Sequence, residues 1–331
     1  MRNLITDVAG VRVGHAGDAR LGSGVTAIVF DEPATASIDV RGGGPGTRET
    51  ALLDPAQTVS GIDAITLSGG SAFGLDAASG VQAFLREQGR GFGVRTARVP
   101  IVPAAILFDL LNGGDKEWGR YPPYRELGYA AASSAGTDNT ALGNVGAGLG
   151  ATTVNLKGGL GTASAITAEG HTVSALAVVN AAGSATIGDG PWFWAAPFEQ
   201  DGEFGGRGMP APMPPDALIP RLKGDARQNT TLVVVATDAV LTKAQAKRLA
   251  VMAQTGLARA LYPVHTPLDG DVVFAAATGR KPLDDPMRGL AQLGAVAGNV
   301  VARAVARGVH LAAALPFEGA LPDWRTKFDG R

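Results

Sequence analysis

The residues with the most chemical content lie where a polar run, Lys223-Gly224-Asp225-Ala226-Arg227-Gln228-Asn229, stops and Thr230-Thr231 open the apolar segment Leu232-Val233-Val234-Val235-Ala236. A threonine at such a junction is expected to be buried at the edge of a sheet. If the chain were cut before Thr230, that residue would carry both a hydroxyl and a free α-amine. An N-terminal threonine needs no histidine, because its own amine serves as general base. An α-amine titrates near ~7.7–8.0, well placed to take a proton at neutral pH. One cut between Asn229 and Thr230 would therefore complete a nucleophile–base pair. β-Branched residues also open strands with no chemistry attached, so this segment alone leaves both readings open.

Other residues could support such a nucleophile. Asp269-Gly270-Asp271 precedes the strand-like Val272-Val273-Phe274. Alternate residues at a strand start point the same way, so the two carboxylates can flank one site. They could equally form an acidic turn. A calcium loop fits poorly, since the liganding series and its closing Glu are missing. Lys157 stands before Gly158-Gly159 and reads as a solvated charge or as a site amine. Asn180 ends the apolar run Ala175–Val179 and reads as a turn residue or as a side-chain donor to an oxyanion. Gly69-Gly70-Ser71-Ala72-Phe73-Gly74 is neither a nucleophile elbow nor a phosphate or dinucleotide loop. Its backbone N–H groups could still face an anion or a carbonyl oxygen. In the polar loop Asp39–Thr50, the arginines could bind a carboxylate or pair with Asp39 and Glu49. His15, His171, His265 and His310 are not at metal-ligand spacing, and each is read as structural or solvent-facing.

These groups need a framework, and the composition indicates one. The 47 glycines fall in clusters without a period, which argues against collagen or a solenoid and for closely packed layers. Basic and acidic residues nearly balance, with a formal net charge of −1 and no basic stripe, so no nucleic-acid partner is expected. With no cysteine, disulfides, thiolate nucleophiles and Cys-based metal sites are excluded. Asp7 stands where a signal peptide would be apolar, and no uninterrupted apolar run approaches the ~20 residues of a membrane helix. No membrane partner is expected, and a cytoplasmic location is compatible.

Val25–Phe30, Ala36–Val40, Ala64–Leu67, Ala151–Leu156, Thr162–Thr167 and Thr172–Val179 read as strands, and Phe73–Gln88 as a helix. Residues 109–136 read as loop-rich. The Pro- and Gly-rich stretch 188–225 reads as an exposed connection, the kind of segment where chains are cut. A strand from Thr230, a helix over about 242–261, a strand over 271–278 and a long helix over about 285–307 complete the chain. Strands from both halves are expected to share one core, so residues 1–331 are taken as one catalytic domain.

Taken together, the chain resembles the family of self-cleaving aminopeptidases that holds the L-aminopeptidase/D-esterases, the β-peptidyl aminopeptidases and the nylon-oligomer endohydrolase. The likeness runs from Ile5-Thr6-Asp7-Val8-Ala9-Gly10-Val11-Arg12-Val13-Gly14-His15, through Leu67-Ser68-Gly69-Gly70-Ser71-Ala72-Phe73-Gly74-Leu75, to Asn229-Thr230-Thr231 and His265-Thr266-Pro267-Leu268-Asp269-Gly270-Asp271. It implies an α+β fold, a four-layer α-β-β-α sandwich of the N-terminal-nucleophile type. It implies cleavage between Asn229 and Thr230 into fragments 1–229 and 230–331 that stay associated. Thr230, Asp269 and Asp271 are similar to the nylon-oligomer branch, whereas the aminopeptidase branch has a serine nucleophile with Ser and Glu in the later positions. Lys157 and Asn180 match the nylon-oligomer branch's supporting lysine and oxyanion asparagine. The loop Arg41–Thr50 resembles the wider peptidase branch.

The expected activity is hydrolysis of small peptide, ω-amino-acid or polyamide-oligomer amides through an acyl-enzyme, with Gly69, Gly70, Ser71 and Phe108 on the substrate-binding surface. No metal and no cofactor are expected. The partners expected are a small amide or peptide substrate and further copies of the chain, as a tetramer. An acyltransferase of the ornithine-acetyltransferase type and a non-catalytic glycine-rich binding protein are the alternatives.

Overall fold

The fold grows from one strand that serves two sheets. In the computed structural model, which describes residues 1–223 and 229–330, Ser23–Val40 is a single strand of 18 residues. Residues 224–228 of the polar run lie outside the described residues. In chain order the strands and helices are β1 Val11–Asp18, β2 Ser23–Val40, β3 Thr47–Arg48, β4 Ile62–Ser68, α1 Ala77–Glu87, β5 Phe92–Val94, β6 Ala97–Val99, β7 Ala104–Ile106, α2 Tyr124–Ser133, β8 Leu160–Ile166, β9 Thr172–Asn180, β10 Thr230–Ala239, α3 Lys243–Ala258, β11 Val272–Lys281, α4 Pro286–His310 and α5 Trp324–Phe328.

The first half of β2 pairs with β1 and β4, and its second half, from Thr35 to Val40, pairs with β11. The exposed Asp31-Glu32-Pro33 marks the crossing between sheets. That charged, proline-containing step is why the sequence reads as two strands where there is one. The first sheet adds β7 and β3 beyond β4, and the second runs β11-β10-β9-β8.

Side-chain alternation then builds three apolar layers. Leu232, Val234, Leu176, Val178, Phe274, Ile28 and Ile65 fill the space between the sheets. Val233, Val235, Val173, Val179 and Val273 face α3 and α4. Val25, Ala27, Val29 and Ala64 face α1 and α2. The result is the expected α-β-β-α sandwich. Glycine allows its close layer contacts: a Cβ on Gly308 of α4 would lie 2.9 Å from the backbone nitrogen of Gly161 on β8.

Several elements differ from the sequence expectation. Ala151–Leu156 is not a strand, because it turns back on itself: Thr152 bridges to Lys157, and the Thr153 N–H donates to the Leu156 carbonyl at 2.8 Å. The loop-rich region 109–136 contains α2, which starts after Pro122-Pro123 and buries Tyr124, Gly128, Ala131 and Ala132 at helical spacing. The helix expected from Phe73 begins as a 3₁₀ turn, Ser71–Asp76, and becomes α-helical at Ala77. β10 is not an edge strand, since β9 and β11 flank it on both sides. α4 is long and apolar enough to cross a membrane by length and composition, but 67% of its apolar window is buried inside the fold.

Candidate active site

Thr230 is the first residue of β10 and is buried. It shares a strand face with Leu232 and Val234 and so points between the sheets. Its register partner across the antiparallel pair is Asn180, the last residue of β9. Direct partners on one face have Cβ atoms about 4.5–5.5 Å apart, so the Asn180 and Thr230 side chains leave the sheet as neighbours on one face.

The bond before Thr230 is held closely. Thr230 Oγ1 donates to the Asn229 carbonyl oxygen at 2.5 Å, and the Gly270 N–H donates to the same oxygen at 2.6 Å. Asn229 in turn donates its N–H to the Leu268 carbonyl at 2.8 Å and bridges in parallel to Asp269. Residue 270 has to be small: a Cβ there would stand 2.6 Å from Thr230 Oγ1.

The acidic turn packs directly against this bond. Asp271 Oδ1 accepts the Thr231 N–H at 2.7 Å. Its Oδ2 accepts the His265 N–H at 3.1 Å and faces His265 Nδ1 at 2.9 Å. Asp269 Oδ1 accepts the Ala182 N–H at 3.0 Å, and its Oδ2 accepts the Thr266 N–H at 3.0 Å and the Thr266 hydroxyl at 2.7 Å. Both carboxylates are fully buried. Burial first, and then the neighbouring Asp271 charge, push the Asp269 carboxyl above its ordinary range. Neither carboxylate bonds the Thr230 hydroxyl directly; Asp271 reaches the nucleophile strand through the next backbone N–H. The glycine loop after β2 props this turn, with Arg41 N–H on the Asp271 carbonyl and Gly44 N–H on the Asp269 carbonyl. The loop's arginines are engaged within the chain: the exposed Arg41 pairs with Asp39, and Arg48 holds the Leu75 carbonyl and the side chains of Ser79 and Gln82.

On the other side lies a cavity of about 280 Å³, lined among others by Phe108, Asp109, Lys157, Lys223, Asn229 and Leu315. The buried Lys157 is not a solvated charge. Its amine donates to the carbonyls of Gly148, Ala151 and Gly158 at 3.1, 2.7 and 2.6 Å. Burial lowers its pKa to about 7. Asn180 Oδ1 accepts from the Thr152 N–H at 3.0 Å and from the Lys223 amine at 3.1 Å, and Asn180 Nδ2 donates to the Phe108 carbonyl at 3.0 Å.

Gly69, Gly70 and Ser71 stand behind this cavity and do not line it. The Gly70 N–H donates to Asp109 Oδ1 at 2.8 Å, and the Ser71 N–H to the Leu107 carbonyl at 2.9 Å. Asp109 also accepts the Ser23 hydroxyl at 2.7 Å, and burial raises its pKa. Sequence reasoning missed His265 and Lys223. The first was read as structural or solvent-facing, and its place six residues before Asp271 was the available signal. The second carried none beyond its charge.

A family model described as peptidase family S58 matches residues 3–320. An uncharacterized aminopeptidase of Mycobacterium tuberculosis (strain ATCC 25618 / H37Rv) is 44% identical over 99% of this chain and 98% of its own. A 6-aminohexanoate-oligomer endohydrolase of Kocuria sp. (strain KY2) is 26% identical over 82% of this chain and 74% of its own. Among solved structures, a beta-aminopeptidase of Burkholderia sp. superposes with a TM-score of 0.72 at 24% identity, covering 99% of this chain and 92% of that one. The L-aminopeptidase D-Ala-esterase/amidase of Ochrobactrum anthropi, described as a variant of the Ntn hydrolase fold, gives 0.72 at 21% identity, covering 97% and 90%. At these identities the two structures speak for the fold.

Proposed function

Because this chain belongs to peptidase family S58 and is a hydrolase acting on amide or peptide bonds, we propose that it cuts itself before Thr230 and then uses Thr230 as an N-terminal nucleophile. The observation that carries this reading is the double grip on one carbonyl oxygen. The Asn229 oxygen receives the Thr230 hydroxyl at 2.5 Å and the Gly270 N–H at 2.6 Å.

In the precursor, Thr230 Oγ attacks the Asn229 carbonyl carbon while the Gly270 N–H stabilises the oxyanion. The hydroxyl proton passes to the Thr230 nitrogen as the C–N bond breaks, leaving an ester of Asn229 on Thr230. Water adds to that ester, releases Asn229 as a carboxylate and restores the hydroxyl beside a free amine. In the mature enzyme the amine acts as base, directly or through water, and Oγ attacks a substrate amide. Asn180 donates to the developing oxyanion, a contact whose loss typically costs ~2.7–4 kcal/mol of transition-state stabilisation. Asp269 and Asp271 orient Thr230 and manage protons, and Lys157 lies nearby as an electrostatic partner. Water then hydrolyses the acyl-enzyme.

The fragments 1–229 and 230–331 stay together in this reading because β10 remains paired on both sides. The substrates are small peptide, ω-amino-acid or polyamide-oligomer amides, the last suggested by the endohydrolase relative. We place the enzyme in the cytoplasm as a homotetramer. Intact mass and N-terminal sequencing test the scheme: two species should meet at Asn229/Thr230, and Thr230→Ala should leave only the full-length chain. A Thr230→Ala protein still cut at this bond would overturn the intramolecular mechanism.

A further inference from the structure

We propose that Lys223 is a positioning residue that fixes the Asn180 side-chain amide for turnover, acting through Asn180 and not on the substrate. The inference rests on Asn180 serving as the oxyanion donor of the proposed reaction.

A side-chain amide has two ends of nearly equal shape, so its neighbours decide which end faces the reaction. Asn180 Oδ1 takes two donors, the Thr152 N–H at 3.0 Å and the Lys223 amine at 3.1 Å. Lys223 also donates to the Thr152 carbonyl at 2.8 Å. Lys223, Thr152 and Asn180 therefore close a ring of three hydrogen bonds, which points Nδ2 away from the ring toward the Phe108 carbonyl at 3.0 Å. The amide nitrogen has a second hydrogen, which remains for a developing oxyanion beside Thr230. The lysine is itself anchored, its own N–H bonding the Ala182 carbonyl at 3.0 Å.

Lys157 cannot replace it, because three backbone carbonyls already take its amine. Burial lowers the Lys223 pKa to about 7, against the pull of Asp269 and Asp109, with Lys157 as the neighbouring cation. A neutral amine still carries two hydrogens, so both of its bonds survive deprotonation. Lys223 lies ahead of the proposed cut, so its hold on Asn180 belongs to the large fragment and persists after processing.

The experiment is a double-mutant cycle on the full chain with an amino-acid p-nitroanilide as probe. It compares Lys223→Met, Lys223→Gln, Asn180→Ala and the paired variants. Lys223→Met should still be processed and melt near wild type, with kcat down about tenfold and KM within about twofold. Asn180→Ala should lose more, about 100-fold, as for a direct donor. In the Asn180→Ala background, Lys223→Met should cost nothing further. If Met disturbs the fold, the Gln variant gives the reading; loss of fold in both makes Lys223 a stability residue and overturns the proposal. Additive losses, or an effect confined to KM, also overturn it. A wild type that hydrolyses the probe without a Thr230 N-terminus would sink the nucleophile reading alone. A processed wild type whose Lys223→Met variant keeps full kcat would sink this one alone.

Discussion

The two sides of the Asn229–Thr230 bond are built from opposite charges and opposite halves of the backbone. On one side Asp269 and Asp271 are satisfied almost entirely by N–H groups, those of Ala182, Thr266, Thr231 and His265. On the other side Lys157 and Lys223 are satisfied by carbonyls, those of Gly148, Ala151, Gly158 and Thr152. Strand starts and tight turns leave N–H groups unpaired, and the coiled segment 148–158 turns its carbonyls inward, where those of Gly148 and Ala151 take the amine beside a backbone N–H. Each buried charge settles where the backbone presents groups of the complementary kind. The two lysines differ in one respect. Lys157 is saturated by main chain, whereas Lys223 spends one bond on a side chain that the proposed chemistry uses. Burial is therefore a poor guide to role; the identity of the acceptor separates them.

The most severe break in this comparison is Asp271→Asn. It would replace one acceptor oxygen by an NH2 donor, set against either the Thr231 N–H or the His265 N–H and ring. Self-cleavage and turnover should both slow by roughly 100-fold, the lower end of what a positioned proton-handling group contributes. Cleavage half-time on gels and hydrolysis rates measure it, with circular dichroism showing that the fold survives. Wild-type rates would reduce the motif to an acidic turn.

The comparison between the lysines sharpens with Lys157→Met, which should act on stability first. It removes three buried hydrogen bonds, at roughly 1 kcal/mol each, and the melting temperature should fall visibly where that of Lys223→Met does not. Equal melting losses in the two variants would erase the distinction.

A smaller effect is the pH dependence of stability. Both amines have folded pKa values near 7 against an ordinary 10.5. Between those values the unfolded chain binds more protons, so stability from these groups rises with pH over about 7 to 10.5 and is flat below. Asp269 works in the acid range with the opposite slope: its raised pKa favours the folded state below the ordinary carboxylate range and that gain is lost as pH rises through it. Melts of wild type and Lys157→Met should therefore diverge more at about pH 9 than at about pH 6. Parallel curves would show that Lys157 is not the titrating group.

The smallest expected change is His265→Gln. The backbone N–H of residue 265 still reaches Asp271, and only the ring contact is lost. Turnover should fall by a few-fold, within the roughly 1 kcal/mol of one hydrogen bond. A loss as large as that of Asp271→Asn would promote His265 from support to a direct participant.

Local pattern alone carried the strands β8 to β11, the helices α3 and α4, and the position of Thr230. Alternating apolar residues, the Thr242–Gln245 capping box and Asp285-Pro286 at a helix start each specify their element with neighbours only. The same is true of Asp269-Gly270-Asp271, whose place before Val272 fixed it at a strand start. Three things were beyond local reading. Ala151–Leu156 has a strand's composition but turns back on itself, held by Asn180, Gly183 and Lys223. β2 crosses between sheets at a step that reads as a break. Lys223 looks like any charge in a polar run, yet its amine lies inside, against Asn180. In each case the deciding partner is distant in sequence. The apolar pattern reports which residues leave water, because that free energy scales with each side chain's own surface. It does not report where a buried charge finds its hydrogen bonds, because those acceptors exist only once the layers have packed.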